Sequence, residues 1–334
     1  MLEDTRVVDV HHHFLPRVVF DELKAEAGGA RRLLNDKISM ALTDQLHQVD
    51  RHLGAMDEAG VDAAILTNSG VSVYGSDTCR KLNDGLAEVQ RANPGRLYGA
   101  AHVALQEPDA APRELERGAR ELGLVAVALP TSAFDVNLDN PSLGPLWRTI
   151  TALDLTVILH PAMKPQGATT DYGLERSCGR PFDTTIAAAR LMYGVLPEFP
   201  SLRFVLPHLG GTAIFLKGRL LAMYEPPGWE IPAEIRQIAK TQREQRALGV
   251  DAVFEAGWSR FYFDTAGTGA WAPPVQLAAE VVGASRLVFG TDYPLESHSG
   301  ATMRELAEMV GGLRLSREER QAIAGRTAAE LFPL

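Results

Sequence analysis

Arg6-Val-Val-Asp-Val-His-His-His-Phe14 is the stretch on which the fold turns. Arg6 to His11 reads as a short buried strand, its middle β-branched and apolar apart from one Asp. His11-His12-His13-Phe14 then follows, with no glycine among them. An open doubly wound sheet would place a Gly-rich phosphate-binding turn at this point, so its absence argues for a different α/β architecture. Seven further β-rich runs follow: Val61–Thr67, Leu97–Val103, Leu124–Leu129, Leu155–His160, Leu202–His208, Phe261–Asp264 and Arg286–Gly290. Helical patterns lie between them: Asp44 to Ala59, one ending near Asn93-Pro94-Gly95, Ala110 to Leu122 and Thr184 to Leu196. Repeated strand–helix alternation implies a parallel sheet, and eight strands favour closure into a (β/α)8 TIM barrel over an open sheet.

Two insertions stand out, Pro16 to Thr43 after the first strand and Glu225 to Trp258 before the seventh, each long enough for helices of its own. The first sits at the C-terminal end of a strand, over the expected active-site mouth. No linker, repeat or low-complexity tract divides the chain, so residues 1–334 are expected to form a single domain. Leu315 to Leu331 reads as a terminal helix, with Ser316 as N-cap and Glu319 three residues on.

The bulk properties narrow the function. Hydrophobic residues make up 46% and charged residues 22%, which suits a soluble enzyme-sized globule. The formal net charge is −9, and no Lys/Arg cluster tracks a phosphate backbone, so nucleic acid is not an expected partner. An anionic substrate would need local positive charge, from a metal or an arginine. Cys79 and Cys178 form no C-x-x-C pair, and the N-terminus has no apolar signal core, which together suggest reduced thiols and a cytoplasmic location. No run approaches the roughly 20 apolar residues that span a bilayer, so no membrane role is expected.

The chemistry lies in position. His11, His13, His160, His208 and Asp292 fall at the C-terminal ends of four predicted strands, the face on which TIM-barrel active sites are built. Packing alone does not select histidine at several strand ends. His11 and His13 are two apart, so both face one side while His12 faces the other. Imidazole with carboxylate suits Zn2+ and similar divalent ions. His47, His52 and His102 read as structural histidines, and Trp147, Trp258 and Trp271 as core or interface residues. Gly210-Gly211 permits a close backbone approach, and Tyr293-Pro294 fixes the loop that carries Asp292.

The segments Val-Asp-Val-His-His-His-Phe-Leu-Pro16, Leu-His-Pro161, Pro-His-Leu-Gly-Gly211 and Gly-Thr-Asp-Tyr-Pro294, in that order, resemble the amidohydrolase superfamily, in particular its aminocarboxymuconate-semialdehyde decarboxylase-like branch. Met56-Asp-Glu-Ala-Gly-Val-Asp62 and Asn93-Pro-Gly-Arg96 carry the same resemblance, which covers nearly the whole chain. It implies a barrel with one divalent metal, Zn2+ first and Mn2+ second. His11, His13, His160 and Asp292 match the family's metal ligands, and His208 its catalytic histidine. Arg219, eleven positions after His208, matches an arginine that in related dimers reaches the neighbouring subunit's substrate, so a homodimer or higher homo-oligomer is implied. The fourth strand, Leu124-Val-Ala-Val-Ala-Leu129, lacks the lysine that bridges two-metal relatives, which argues for a mononuclear site.

Two departures concern substrate. Asn35-Asp-Lys-Ile-Ser39 has no counterpart of the substrate-binding arginine found after the first strand, leaving Lys37 as a point charge. Tyr293-Pro-Leu-Glu-Ser-His298 offers His298 as a pocket residue where the relative has an aromatic one. The expectation is non-oxidative decarboxylation of a small aromatic or unsaturated carboxylic acid, with His208 and Asp292 moving protons and Arg219 and His298 touching substrate. Metal-assisted hydrolysis of a lactone, ester or amide is the alternative, with a non-catalytic metal-binding barrel behind it.

Overall fold

The computed structural model describes residues 5–35, 37–162, 171–224 and 249–334. All eight expected strands are present within a few residues: β1 (Val8–His13), β4 (Ala63–Thr67), β5 (Leu97–His102), β6 (Ala126–Pro130), β9 (Thr156–His160), β10 (Arg203–Leu206), β11 (Phe261–Asp264) and β12 (Leu287–Val288); the numbering also counts two small hairpins outside this sheet, β2 (Arg32–Leu34) with β3 (Ser39–Ala41) and β7 (Ser132–Ala133) with β8 (Val136–Asn137). They pair in that order, all parallel. Backbone hydrogen bonds from Val10 N–H to Phe289 O (2.9 Å), Asp292 N–H to His11 O (2.8 Å) and His13 N–H to Tyr293 O (2.7 Å) then join the last strand to the first. The result is a barrel closed at the end where the candidate site residues lie.

The two faces of the strands explain their apolar runs. Val8, Val10, Ala63, Ile65, Ala100, Ala126, Ala128, Ile158, Val205 and Val288 fill the interior, and Ala328, Leu331 and Phe332 pack against them from the C-terminus. Alternate residues such as Leu66, Leu129, Leu159, Phe204, Phe263 and Phe289 pack outward with the helices. Strands buried on both faces lose the polar/apolar alternation that would mark a half-exposed sheet.

One irregularity positions the site. With Val8 and Val10 facing inward, a regular strand would also turn His12 inward and His11 and His13 out. The β1–β4 register instead slips by one residue between Asp9 and His12: Asp9 pairs with Ala64, but His12 with Leu66. This bulge reverses the phase, so His11 and His13 enter the barrel and His12 leaves it.

The structure adds detail to three expectations. The segment after β1 holds a helix (Arg17–Glu26), but its remainder is an antiparallel hairpin, β2 (Arg32–Leu34) with β3 (Ser39–Ala41), in which buried Leu33 faces buried Met40. Strands of three residues are too short for periodicity to show. The terminal helix begins as expected, with Ser316 and Glu319 forming a capping box. It is then interrupted by a wider π turn over Ala322–Arg326, where the Ile323 carbonyl accepts a hydrogen bond from Phe289 N–H at 2.9 Å. Trp147 and Trp258 are buried, whereas Trp271 is exposed. Most of the second expected insertion, residues 225–248, lies outside the described residues, as does Asp36. Its end is the helix Val250–Trp258.

Candidate metal centre

Five elements aim side chains at one point above the barrel interior. β1 contributes His11 and His13, β9 ends on His160, β11 ends on Asp264, and the loops after β10 and β12 carry His208 and Asp292. His208 (φ 53°) and Asp292 (φ 55°) both have left-handed backbone, a conformation that costs a non-glycine residue free energy and gathers at functional positions. Gly290 allows the last strand to approach: a Cβ there would lie 2.9 Å from His11 Cβ.

The imidazoles and the carboxylate converge. His11 Nε2 is 3.2 Å from His13 Nε2, Asp292 Oδ1 is 2.9 Å from His13 Nε2 and 3.9 Å from His11 Nε2, and His208 Nε2 is 3.4 Å from Asp292 Oδ2. The His160 ring centroid lies 4.8 Å from that of His13 and 5.4 Å from that of His11. One atom from each of His11, His13 and His160, and likewise from His11, His208 and Asp292, fits within a 4.8 Å span. Among the described residues no other cluster of this kind occurs.

These groups are close without satisfying one another. Asp292 Oδ1, His208 Nε2 and His13 Nδ1 are buried with no hydrogen-bond partner, although such atoms are normally paired. His160 is held by its other nitrogen, Nδ1, which donates to the Pro161 carbonyl at 2.9 Å and leaves Nε2 facing the cluster. Burial is the largest influence on His11, His13 and His160 and opposes protonation. It keeps His13 below its ordinary pKa and His160 well below it, so both stay neutral, as metal ligands must be. At His11 burial is outweighed by Asp264, Asp292 and Asp9, which lift the pKa to about 9. The acidic surround of His11 thus favours positive charge at this point, as a cation would supply. At Asp292 burial alone would raise the pKa, but His13, His208 and His11 together hold the carboxyl well below its usual range. Imidazoles, one carboxylate and a negative surround fit a divalent cation.

Two buried carboxylates that strand patterning did not single out hold the cluster in place. Asp264 Oδ2 lies 2.7 Å from His11 Nδ1, and its Oδ1 accepts from His208 N–H at 2.8 Å, so one side chain orients two site residues. Asp9 Oδ1 accepts from His11 N–H (3.1 Å) and Thr291 N–H (3.0 Å), and its Oδ2 takes the Thr291 hydroxyl at 2.5 Å. Asp9 Oδ2 also meets outward-turned His12 at 2.8 Å. Beyond it, His52 Nε2 donates to the Gln45 carbonyl at 2.7 Å, so its Nδ1 accepts from His12 Nε2 at 2.8 Å. A charge inside a strand buried on both faces was the available signal for Asp9 and Asp264, because such a charge persists only when paired.

A profile of the amidohydrolase family matches residues 8–334. The chain belongs to the amidohydrolase family. Among relatives of this amidohydrolase, gamma-resorcylate decarboxylase of Polaromonas sp. JS666 is 29% identical over 304 residues, covering 85% of this chain and 87% of the relative. The 2-amino-3-carboxymuconate-6-semialdehyde decarboxylase of Dictyostelium discoideum is 26% identical, covering 64% of this chain and 65% of the relative. Among solved structures, a dihydroxybenzoic acid decarboxylase from Polaromonas sp. JS666, crystallised with manganese and the inhibitor 2-nitroresorcinol, has a TM-score of 0.73 at 25% identity, covering 99% of this chain and 97% of that one.

The remaining sequence-derived residues of this amidohydrolase are not members of the cluster. Arg219 is exposed on the helix Ala213–Ala222. His298 is exposed, with Nδ1 3.1 Å from the Pro294 carbonyl. Lys37 stacks over Tyr74, 4.8 Å from the ring centroid. His102 is buried at the mouth, where its Nε2 accepts from Asn68 N–H at 2.8 Å.

Burial holds His102 and His52 neutral, each with a pKa lowered to about 3. Unfolded histidine titrates near 6.5, so the unfolded chain binds these protons first. The stability tied to both groups is complete above pH 6.5 and is lost as pH falls towards 3, by about 1.4 kcal/mol per pH unit for each histidine. Urea unfolding at pH 7 and pH 5 is expected to show this fall, and His102→Gln to reduce it. Equal slopes in wild type and variant would contradict that account.

Proposed function

We propose that this chain is a metal-dependent, non-oxidative decarboxylase of a small aromatic carboxylic acid, working as one catalytic domain. The observation that carries the reading is the convergence of His11, His13, His160 and Asp292, with His208 beside them, in a barrel whose relatives bear decarboxylase names. The four are assigned as ligands of one divalent cation, Zn2+ or Mn2+; manganese is the ion in the Polaromonas structure. When bound, the cation supplies Lewis acidity for the electron density released as CO2 departs.

The chain's own groups do the rest. Loss of CO2 leaves an electron pair on a ring carbon, which must take up a proton. His208 is the assigned donor, since its Nε2 has no hydrogen-bond partner and an imidazole nitrogen can both give and take a proton. Asp292 Oδ2, at 3.4 Å, lies within reach to steady and restore that proton. Asp264 fixes the His208 backbone and the His11 ring, so both bear on the same point. The hydrolytic alternative uses the same groups, and no feature of the site favours it.

Among the described residues, no helix is long and apolar enough to cross a membrane. Cys79 and Cys178 are unpaired, which suits the reducing cytoplasm we assign. We assign a homodimer or higher homo-oligomer, because Phe215, Arg219 and Met223 are spaced by four along one exposed face; a monomeric mass in solution would contradict it.

The function is tested by supplying chelator-stripped and metal-reconstituted protein with 2-hydroxybenzoate, 2,6-dihydroxybenzoate and a muconate-like acid. Metal-dependent CO2 release from at least one is expected. None from any, by fully loaded protein, would defeat the reading.

A further inference from the structure

Arg180 begins the helix Arg180–Arg190, and the first turns of that helix are wedged among three loops at the barrel mouth. Asp183 accepts hydrogen bonds from the Thr131 hydroxyl, after β6, and from Ala162 N–H at 2.9 Å, after β9. Thr185 Oγ1 meets Thr212 Oγ1 at 2.8 Å, and a Cβ on Gly211 would lie 2.1 Å from the Pro181 carbonyl. The loop that carries His208 therefore presses on the residue next to Arg180.

The Arg180 side chain meets no acceptor among the described residues. Its Nε is buried without a hydrogen bond, and among the described residues the guanidinium makes no ion pair. The charges that bear on it are Asp292 in the cluster, then Glu175, Arg176 and Glu296. Glu175 is the nearest rival in sequence, yet its Oε1 is itself buried and unpartnered, so the two are not joined. Arg180 is partly buried, and a cation whose Nε is shut off from water without an acceptor is costly to keep. A guanidinium offers five N–H donors in a planar fork that matches a carboxylate. The whole chain carries −9, and Asp292 adds negative charge at the site, so an anionic substrate needs a local cation.

We propose that Arg180 binds the substrate's carboxylate and sets the preference for acids, an inference that rests on the decarboxylase reading above. Its effect falls mainly on binding. The negative charge it holds leaves that carboxyl group as neutral CO2 forms, so the contact favours the ground state at least as much as the transition state. Neutralising Arg180 is therefore expected to raise KM about tenfold to a hundredfold while kcat changes much less.

The test compares the best-binding hydroxybenzoate with its neutral methyl ester, by calorimetry, on metal-loaded wild type, Arg180→Gln and Arg180→Lys. Wild type is expected to prefer the acid by at least about tenfold, and Arg180→Gln to lose that preference, with Arg180→Lys in between. Metal content is expected to be unchanged, and the Tm of Arg180→Gln no lower than wild type. A preserved acid preference in Arg180→Gln overturns the proposal while leaving the decarboxylase reading intact. So does a markedly lower Tm or failure to fold, which would make Arg180 a structural partner of Glu175. Wild type that binds no acid and releases no CO2 removes both readings together.

Discussion

Replacing His208 with glutamine is expected to lower kcat by about 10²–10⁴-fold while leaving metal content at the wild-type level. The size follows from the role: a positioned proton donor typically contributes a factor in that range, and glutamine can hydrogen-bond but not exchange the proton. The separation from metal binding follows from geometry. His208 Nε2 lies nearest Asp292 Oδ2, at 3.4 Å, whereas His13 Nε2 and His11 Nε2 lie nearest Oδ1, at 2.9 and 3.9 Å. Initial rates at saturating substrate, with metal analysis on the same preparation, check both halves. A variant that loses its metal, or keeps near-wild-type kcat, would take His208 out of proton transfer.

His160→Ala is expected to have the larger effect, removing both metal and activity. His160 is buried and kept neutral, and its Nδ1 is committed to the Pro161 carbonyl, so the whole side chain serves to present Nε2 to the cluster. Alanine leaves two histidines and one carboxylate, too few for tight retention of a divalent ion, and activity should fall to the uncatalysed background. Asp264→Asn gives a graded comparison: it keeps the shape but weakens the hold on His11 Nδ1, and is expected to reduce metal affinity about 10–100-fold. Titration of chelator-stripped protein with Mn2+ or Zn2+ measures both. Equal affinity in wild type and His160→Ala would show that the ion binds elsewhere.

Much of this was legible in the sequence because strand ends in a parallel barrel share one face. Once the eight apolar runs were placed, His160 and Asp292 had to lie near the mouth, and the alternation of β1 paired His11 with His13. The sequence did not reveal how those two come to face inward, since the bulge after Asp9 is a matter of pairing register with β4. It also left Asp9 and Asp264 as unremarked strand residues, because their partners are brought close only by folding. Arg180 was hidden for the same reason: at the start of an amphipathic helix an arginine reads as a surface charge, and only the packing of Asp183, Thr185 and Pro181 against three loops brings it to the mouth.

X-ray absorption spectroscopy of the reconstituted protein tests the central claim most directly. The account predicts one ion per chain with a shell of imidazole nitrogens and oxygen at about 2.0–2.2 Å, and with the imidazole signal reduced in His160→Ala. A sulfur scatterer near 2.3 Å, or a shell unchanged by that substitution, would contradict it.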